Sequence, residues 1–195
     1  MSRQIAAIVL AAGESSRLCR PKQLVDFEGQ PLVRRAATTA LGAGCRPVIV
    51  VLGAHAEHVE RALEGLDVET ILNRDWRSGM ASSMRAGLAL AESVSPRADA
   101  AIMLLADQPE VSADLLREMM RLHTDEAAPV VACAYQDTLG VPALFDRQFW
   151  CQLTRVRGDR GARDWLRARA DRVTSVPFPG AGVDIDDEQD LQRVR

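Results

Sequence analysis

The chain has 195 residues, of which 47% are hydrophobic, so it has enough apolar side chains to bury a core. Its formal net charge of -3 at pH 7 gives no general electrostatic attraction to nucleic acid or to an anionic membrane. We therefore expect a small-molecule site in which local cations hold any anionic ligand.

The first residues do not resemble a signal peptide, because their short apolar run is broken by Gly13 and Glu14. No later stretch approaches the roughly 20 apolar residues that span a bilayer. We expect a cytoplasmic protein that binds neither membrane nor nucleic acid. The cysteines lack a C-x-x-C spacing, which argues against a zinc site or a disulfide framework and favours reduced thiols.

Apolar runs of strand length alternate with segments of helical period along the first two thirds of the chain. Strands are predicted at residues 5–11, 48–52, 68–72, 100–105 and 130–134. Helices are predicted at residues 32–41, 56–66, 81–91 and 113–122. Continuous apolar strands separated by helices indicate a mostly parallel sheet in a three-layer α/β sandwich. In such a fold, ligands bind at the carboxyl ends of the strands.

The pattern loosens after about residue 135, where the sequence continues through Gly140 to Phe145. Helical stretches are predicted near 146–155 and 161–170, and a short strand near 172–178, before an acidic tail. No Gly/Ser linker or internal repeat divides the chain. We therefore expect a single domain over residues 1–195.

The loop after the first predicted strand combines small residues, hydroxyl groups and cations. Small residues let backbone N–H groups approach phosphate oxygens, while hydroxyl groups add donors and cations balance the charge. The residues expected to bind a triphosphate are Leu10, Ala11, Ala12, Gly13, Ser15, Ser16, Arg17 and Lys22. The loop matches neither G-x-G-x-x-G nor the P-loop pattern, which disfavours a dinucleotide dehydrogenase and a P-loop kinase.

Lys22 is the only lysine among the 24 basic residues of the chain. A flexible point charge differs from the planar fork of arginine, so a lone lysine beside this loop suggests a position that arginine cannot fill. The alternative is a surface lysine, and the serines of the loop could equally cap it. If the interpretation is right, Lys22→Ala and Arg17→Ala weaken triphosphate use and leave thermal stability nearly unchanged.

Asp107 follows the apolar run Ala100 to Leu105, and so lies at the carboxyl end of a buried strand. Mg²⁺ in phosphate-transfer sites takes one or two protein carboxylates and fills its shell with water and phosphate oxygens. The alternative is an aspartate in an ordinary turn before Pro109. We expect Asp107 to be a metal ligand.

A second acidic cluster lies in the tail, where Asp184 and Asp186 alternate along a short predicted strand. Asp184 and Asp186 could complete the shell of the ion held by Asp107. Alternatively, Asp186 or Asp187 caps the last helix, because an acidic first turn complements the helix dipole. The residues alone leave both interpretations open.

Taken together, these motifs resemble the MobA-like NTP-transferase family, and within it the molybdenum cofactor cytidylyltransferase group. The resemblance covers nearly the whole chain. Its motifs are the loop after the first strand, Asp107-Gln108-Pro109, and residues 73–88, 140–145, 158–163 and 184–186. It implies the Rossmann-like fold of the nucleotide-diphospho-sugar transferases, with the triphosphate in the first loop and Mg²⁺ at Asp107. It also implies that residues 73–83 hold the base and ribose, through Asn73, Gly79, Ser82 and Ser83.

The resemblance also suggests the nucleotide, because Ala-Ala-Gly in the loop accompanies cytidine nucleotides in that family. The chain has Ala11-Ala12-Gly13, so CTP is the expected substrate. Two departures concern Cys19, where the family usually has glycine, and Val141, where several cytidylyltransferases have histidine. Cys19 changes how closely the loop backbone can approach phosphate, and Val141 removes a polar group on the expected acceptor side.

We therefore expect an enzyme that moves CMP from CTP to a phosphate-bearing acceptor such as molybdopterin and passes the product to a molybdoenzyme. In this mechanism Asp107 and Asp186 hold Mg²⁺, while Arg17 and Lys22 neutralise the leaving pyrophosphate. The acceptor phosphate attacks the α-phosphorus, and no protein nucleophile is needed. The alternatives are a transferase for a sugar phosphate or polyol phosphate and a nucleotide-binding cofactor chaperone with little turnover.

Overall fold

The structure is a computed structural model that describes residues 3–15, 20–94, 97–135, 138–159 and 161–178. Its strands are β1 (Ile5–Leu10), β2 (Asp26–Phe27), β3 (Gln30–Pro31), β4 (Val48–Leu52), β5 (Glu69–Leu72), β6 (Ala100–Leu105), β7 (Val130–Tyr135), β8 (Thr138–Asp146) and β9 (Thr174–Pro177). Its α-helices are α1 (Leu32–Ala43), α2 (Ala56–Ala62), α3 (Met80–Ser93), α4 (Ala113–Asp125), α5 (Trp150–Leu153) and α6 (Arg163–Arg167). Short 3-10 helices lie at Lys22–Leu24, Trp76–Ser78, Arg147–Phe149 and Ala170–Arg172.

Seven of these strands form one sheet in the order β5-β4-β1-β6-β8-β7-β9. All neighbouring pairs are parallel except those of β8, which runs antiparallel to both β6 and β7. The mostly parallel sheet predicted from the apolar runs is therefore confirmed. β2 and β3 form a separate antiparallel pair.

The core lies on both faces of the sheet, because successive side chains of a strand point in opposite directions. Ala7 and Val9 of β1 belong to the cluster that also holds Val33 of α1 and Leu116 of α4. Ile8 belongs to the opposite cluster, with the buried side chains of α3, α5 and α6. The three-layer sandwich is thus confirmed. No helix in the described ranges is long and apolar enough to cross a membrane.

β8 is a strand of the main sheet that the sequence did not predict. It contains Gly140 and Pro142, and both residues usually argue against a strand interior. The strand forms nevertheless, with a register irregularity against β7 between Ala132 and Cys133. Its apolar residues from Ala143 to Phe145 are buried. Tertiary burial therefore outweighs the local signal.

Gly87 marks a close approach of α3 to the sheet. A Cβ atom there would lie 2.3 Å from Ile8 Cγ2, and the β-branched Ile8 has little rotamer freedom in the buried strand. We expect Gly87→Ala to lower the free energy of unfolding by about 1–3 kcal/mol, as overpacking does. Gly42 in α1 has no atom within 4 Å of such a Cβ, so Gly42→Ala should instead stabilise by about 0.4–1 kcal/mol. Urea unfolding of both variants tests this, and a gain for Gly87→Ala would contradict it.

Candidate active site

A cavity of about 570 Å³ opens at the carboxyl edge of the sheet. Its walls come from the loop after β1, the end of β6 and the turn before α3. The residues predicted as site residues that line it are Leu10, Ala12, Gly13, Lys22, Gly79, Ser83 and Asp107. The structure therefore brings together segments that are distant in the sequence, at the edge where a parallel sheet binds its ligands.

Other predicted residues lie elsewhere. Ala11 is buried beside β4, and its N–H donates to Val51 O at 3.1 Å. Ser15, Asn73 and Ser82 make hydrogen bonds within the turns that shape the cavity. The predicted roles of Ser16, Arg17, Cys19, Asp184 and Asp186 fall outside the described residues.

Lys22 and Asp107 form an ion pair in this cavity, between Lys22 Nζ and Asp107 Oδ2. The Asp107 side chain is only 9% exposed and that of Lys22 is 24% exposed. Asp107 follows the end of β6, and Lys22 is the first residue of the 3-10 helix after the loop. The contact joins the predicted phosphate-binding cation to the predicted metal ligand.

The second carboxylate oxygen of Asp107 is also buried, and Oδ1 accepts no hydrogen bond from the described residues. An unpaired charged oxygen in the interior is costly unless a cation or a donor reaches it. A carboxylate oxygen is also a preferred ligand of Mg²⁺ and of similar hard cations. Asp107 therefore fits the ligand role that the sequence predicted, although no group of three His, Cys, Asp or Glu forms among the described residues.

The turn before α3 is held by Asn73, which is buried. Asn73 Nδ2 donates to Ser82 Oγ at 2.7 Å and to Ser83 Oγ at 3.0 Å, while Asn73 Oδ1 accepts from the Asp75 N–H at 3.0 Å. The Ser82 hydroxyl has carbonyl acceptors at Gly79 and Asp75. In this state Asn73 and Ser82 support the turn, while Ser83 lines the cavity.

Gly79 is required where this turn meets residues 158–159. Its φ is 101°, and a Cβ would lie 2.6 Å from Gly158 C and from Asp159 Oδ1. The Ala81 N–H at the start of α3 donates to Gly158 O at 3.0 Å. Only glycine combines this backbone conformation with such a close approach. The packing brings the Asp159 carboxylate to the cavity wall.

Sequence reasoning missed several residues of the cavity, namely Glu14, Gln23, Trp76, Arg77, Met80 and Asp159. The Arg77 guanidinium lies over the Trp76 ring, 4.3 Å from its centroid. This cation–π contact orients the Arg77 side chain at the cavity wall. Asp159 had a signal, because it belongs to the segment 158–163 on which the resemblance rests. Gln23 follows Lys22 directly, but its contacts depend on how the loop folds back.

Gln108 follows the end of β6 and contacts Val141, which lies on the expected acceptor side. Gln108 is buried, and its Nε2 donates to Val141 O at 3.4 Å. Val141 therefore contributes its backbone carbonyl to the contact. The effect on the acceptor of having valine and not histidine at this position remains a prediction.

The buried thiols are unsuited to nucleophilic catalysis. Burial raises the pKa of Cys45 and that of Cys133 to about 12, so both remain protonated at neutral pH. Cys45, Cys133 and Cys151 are free thiols, and the prediction of a reduced thiol at Cys19 falls outside the described residues. Cys45 and Cys133 are therefore not candidate nucleophiles.

Comparison with known proteins gives matches that extend over most of the chain. The model of the MobA-like NTP transferase domain matches residues 7–173. Nicotine blue oxidoreductase of Paenarthrobacter nicotinovorans is 31% identical, over 97% of this chain and 96% of that protein. Purine catabolism protein PucB of Bacillus subtilis is 26% identical, over 100% of this chain and 97% of that protein.

Among solved structures, Rv0371c from Mycobacterium tuberculosis has a TM-score of 0.84 and 30% identity, over 100% of this chain and 98% of that chain. A structure of the same protein in complex with manganese has a TM-score of 0.77 and 30% identity, over 98% and 97% of the two chains.

The sheet and the cavity at its carboxyl edge define an α/β protein with the Rossmann-like fold of nucleotidyltransferases. The chain belongs to the MobA-like NTP transferase family and is a nucleotidyltransferase. The resemblance found in the sequence motifs is confirmed.

Proposed function

We propose that the chain transfers CMP from CTP to a phosphate-bearing acceptor in the presence of Mg²⁺ and releases pyrophosphate. The observation that carries this proposal is the ion pair of Lys22 and Asp107, which lies in the cavity beside the loop after β1. A metal-bound triphosphate needs both a carboxylate for the ion and a cation for the phosphates. The pair places these groups in contact.

Asp107 is the residue that would hold the divalent cation, since its Oδ1 is buried without a hydrogen-bond partner in the described part of the chain. When bound, Mg²⁺ supplies charge neutralisation at the phosphate oxygens. The manganese complex of the 30% identical Rv0371C supports a divalent metal. The proposed second ligand, Asp186, rests on the sequence pattern.

The side chains of the loop would act by electrostatics and positioning. Lys22 and Arg17 would balance the negative charge that develops on the leaving pyrophosphate. The acceptor phosphate is already ionised, so it needs no strong general base to attack. The protein therefore has to align the two substrates and exclude water.

The remaining proposed contacts fall into two groups, one for the triphosphate and one for the base and ribose. On the triphosphate side they are Leu10, Ala11, Ala12, Gly13, Ser15 and Ser16; on the side of the base and ribose they are Asn73, Gly79, Ser82 and Ser83. Gly79 and Ser83 line the cavity, whereas Asn73 and Ser82 would act by holding the turn in place.

We expect CTP to be preferred over GTP and ATP. Ala12 lines the cavity, and it packs so closely on Gly53 that a Cβ at Gly53 would lie 2.6 Å from Ala12 Cβ. The Ala12 methyl group therefore occupies space in the cavity that a glycine at this position would leave open. Pyrophosphate release with each nucleotide, for the wild type and for Ala12→Gly, measures the preference. A clear preference of the wild type for GTP would move the protein to the guanylyltransferases of its family.

The proposed acceptor is molybdopterin, with a molybdoenzyme as the protein that receives the product. Pyrophosphate release from CTP with and without molybdopterin tests this acceptor. If pyrophosphate is released with a sugar phosphate or polyol phosphate but not with molybdopterin, that phosphate is the acceptor. Tight CTP binding without any release would indicate a nucleotide-binding cofactor chaperone.

A reductase is a second candidate, because the 31% identical relative from Paenarthrobacter nicotinovorans is named an oxidoreductase. The loop after β1 lacks the G-x-G-x-x-G pattern of dinucleotide-binding folds. Oxidation of NADH or NADPH in the presence of a dye acceptor distinguishes this candidate from pyrophosphate release.

A further inference from the structure

Gln23 lies beneath the loop after β1 and is only 2% exposed. Its Nε2 donates to Ala11 O at 3.1 Å and to Gly13 O at 2.6 Å. Its Oε1 accepts from Ser15 Oγ at 3.3 Å. One buried amide side chain therefore holds three positions of the loop.

These contacts determine where the backbone N–H groups of the loop point. In a trans peptide, a carbonyl and the next N–H point in opposite directions, and the peptides between Ala11 and Ser15 are trans. The carbonyls of Ala11 and Gly13 point at Gln23, so the N–H groups of Ala12 and Glu14 point away from it. Neither N–H makes a hydrogen bond within the described part of the chain.

Gln23 also connects the loop to Lys22. Ser15 adopts a left-handed conformation with φ of 59°, and its hydroxyl accepts from the Lys22 N–H at 2.9 Å. The same hydroxyl donates to Gln23 Oε1. This arrangement requires two donors and one acceptor on a single side chain, which an amide provides and a carboxylate does not.

We propose that Gln23 is a positioning residue for the nucleotide: it holds the loop so that the N–H groups of Ala12 and Glu14 remain free for phosphate oxygens. Backbone N–H groups of a short loop that point to the same side form an anion-binding concavity, and Ala12 and Glu14 lie on either side of Gly13. The proposal deepens the nucleotidyltransferase function and rests on the proposed binding of a triphosphate in this loop.

Two variants of similar size separate the hydrogen bonds from packing. Gln23→Met keeps the length and removes every polar contact. Gln23→Glu keeps the acceptor but removes both donors. With two hydrogen bonds to the loop lost, we expect the KM for CTP to rise at least about tenfold in both variants. The acceptor KM should change less than about twofold, since in the proposed mechanism the loop binds the triphosphate and not the acceptor.

The matched control is Gln152→Glu, which makes the same charge change at an exposed position of α5. Kinetic constants for both substrates are measured together with binding of CTP and of inorganic triphosphate by equilibrium dialysis. Inorganic triphosphate reports on the loop without a base or ribose. Binding of both ligands should weaken in the Gln23 variants and remain unchanged in Gln152→Glu.

The outcomes separate this inference from the function on which it rests. If the wild type binds CTP and inorganic triphosphate, and a folded Gln23→Met variant binds both equally well, Gln23 has no positioning role. A parallel change of both KM values and kcat would also overturn it, because that pattern indicates a general packing defect. If the wild type binds neither ligand, the triphosphate site itself is wrong and the proposal fails with it.

Discussion

Lys22→Ala is expected to lower kcat/KM for CTP by about 10²–10³-fold, the range found when one preorganised donor to a transition-state charge is removed. Lys22 lines the cavity in contact with Asp107, so its ammonium group lies where phosphate and metal would meet. Arginine is a wider, planar cation and should not restore the rate. Pyrophosphate release at low CTP, for Lys22→Ala and Lys22→Arg, measures the effect.

The ion pair argues against one expectation from the sequence, namely that Lys22→Ala leaves thermal stability nearly unchanged. Removing Lys22 leaves the Asp107 carboxylate buried without its cation, and an unsatisfied buried acceptor costs about 1–3 kcal/mol. The melting temperature should therefore fall by several degrees in a chain of this size.

Arg172→Ala is a suitable control for this experiment, since Arg172 is exposed and pairs only weakly with its neighbour Asp171 among the described residues. We expect wild-type activity and melting temperature for this variant. Wild-type pyrophosphate release by Lys22→Ala at low CTP would show that the loop assignment is wrong.

The fold was largely predictable because its strands are buried on both faces. Runs such as Val48–Leu52 and Ala100–Leu105 are continuously apolar, and their predicted bounds agree with the observed ones. β8 was not predictable in this way, because Gly140 and Pro142 interrupt its pattern and its stability comes from pairing with β6 and β7. Local sequence carries no signal for such pairing.

The sequence pattern put Asp107 at a strand end and Lys22 in the loop after β1, and both line the cavity, while their roles there remain predictions. The contact between these two residues was not predictable, since they are 85 positions apart. The same limit applies to Asp159, which the Gly79 turn brings to the cavity. The sequence identifies which side chains are able to bind a ligand or a metal. The fold determines which of them instead support a neighbouring residue, as Asn73 does when it donates a hydrogen bond to Ser82.

Asp107→Asn is expected to reduce turnover by at least about 10²-fold while the protein remains folded. Asparagine keeps the size and the turn preference of aspartate, so an aspartate with only a structural role in the turn would tolerate the change. The substitution replaces a charged oxygen ligand with a neutral one at a site where the described residues offer few ligands. It also removes the ion pair with Lys22, so a modest fall in melting temperature should accompany the loss of activity.

A Mg²⁺ titration of pyrophosphate release, with circular dichroism on each protein, separates these effects. The Asp107→Asn variant should need far more Mg²⁺ for any given rate, whereas a change confined to the fold would lower the rate equally at every concentration. Asp67→Asn is the control, because Asp67 is exposed and paired with Arg46 outside the cavity, and it should behave as the wild type does. If a folded Asp107→Asn variant has near-normal activity at the same Mg²⁺ concentration, Asp107 is a turn residue, and the carboxylate is not what holds the metal.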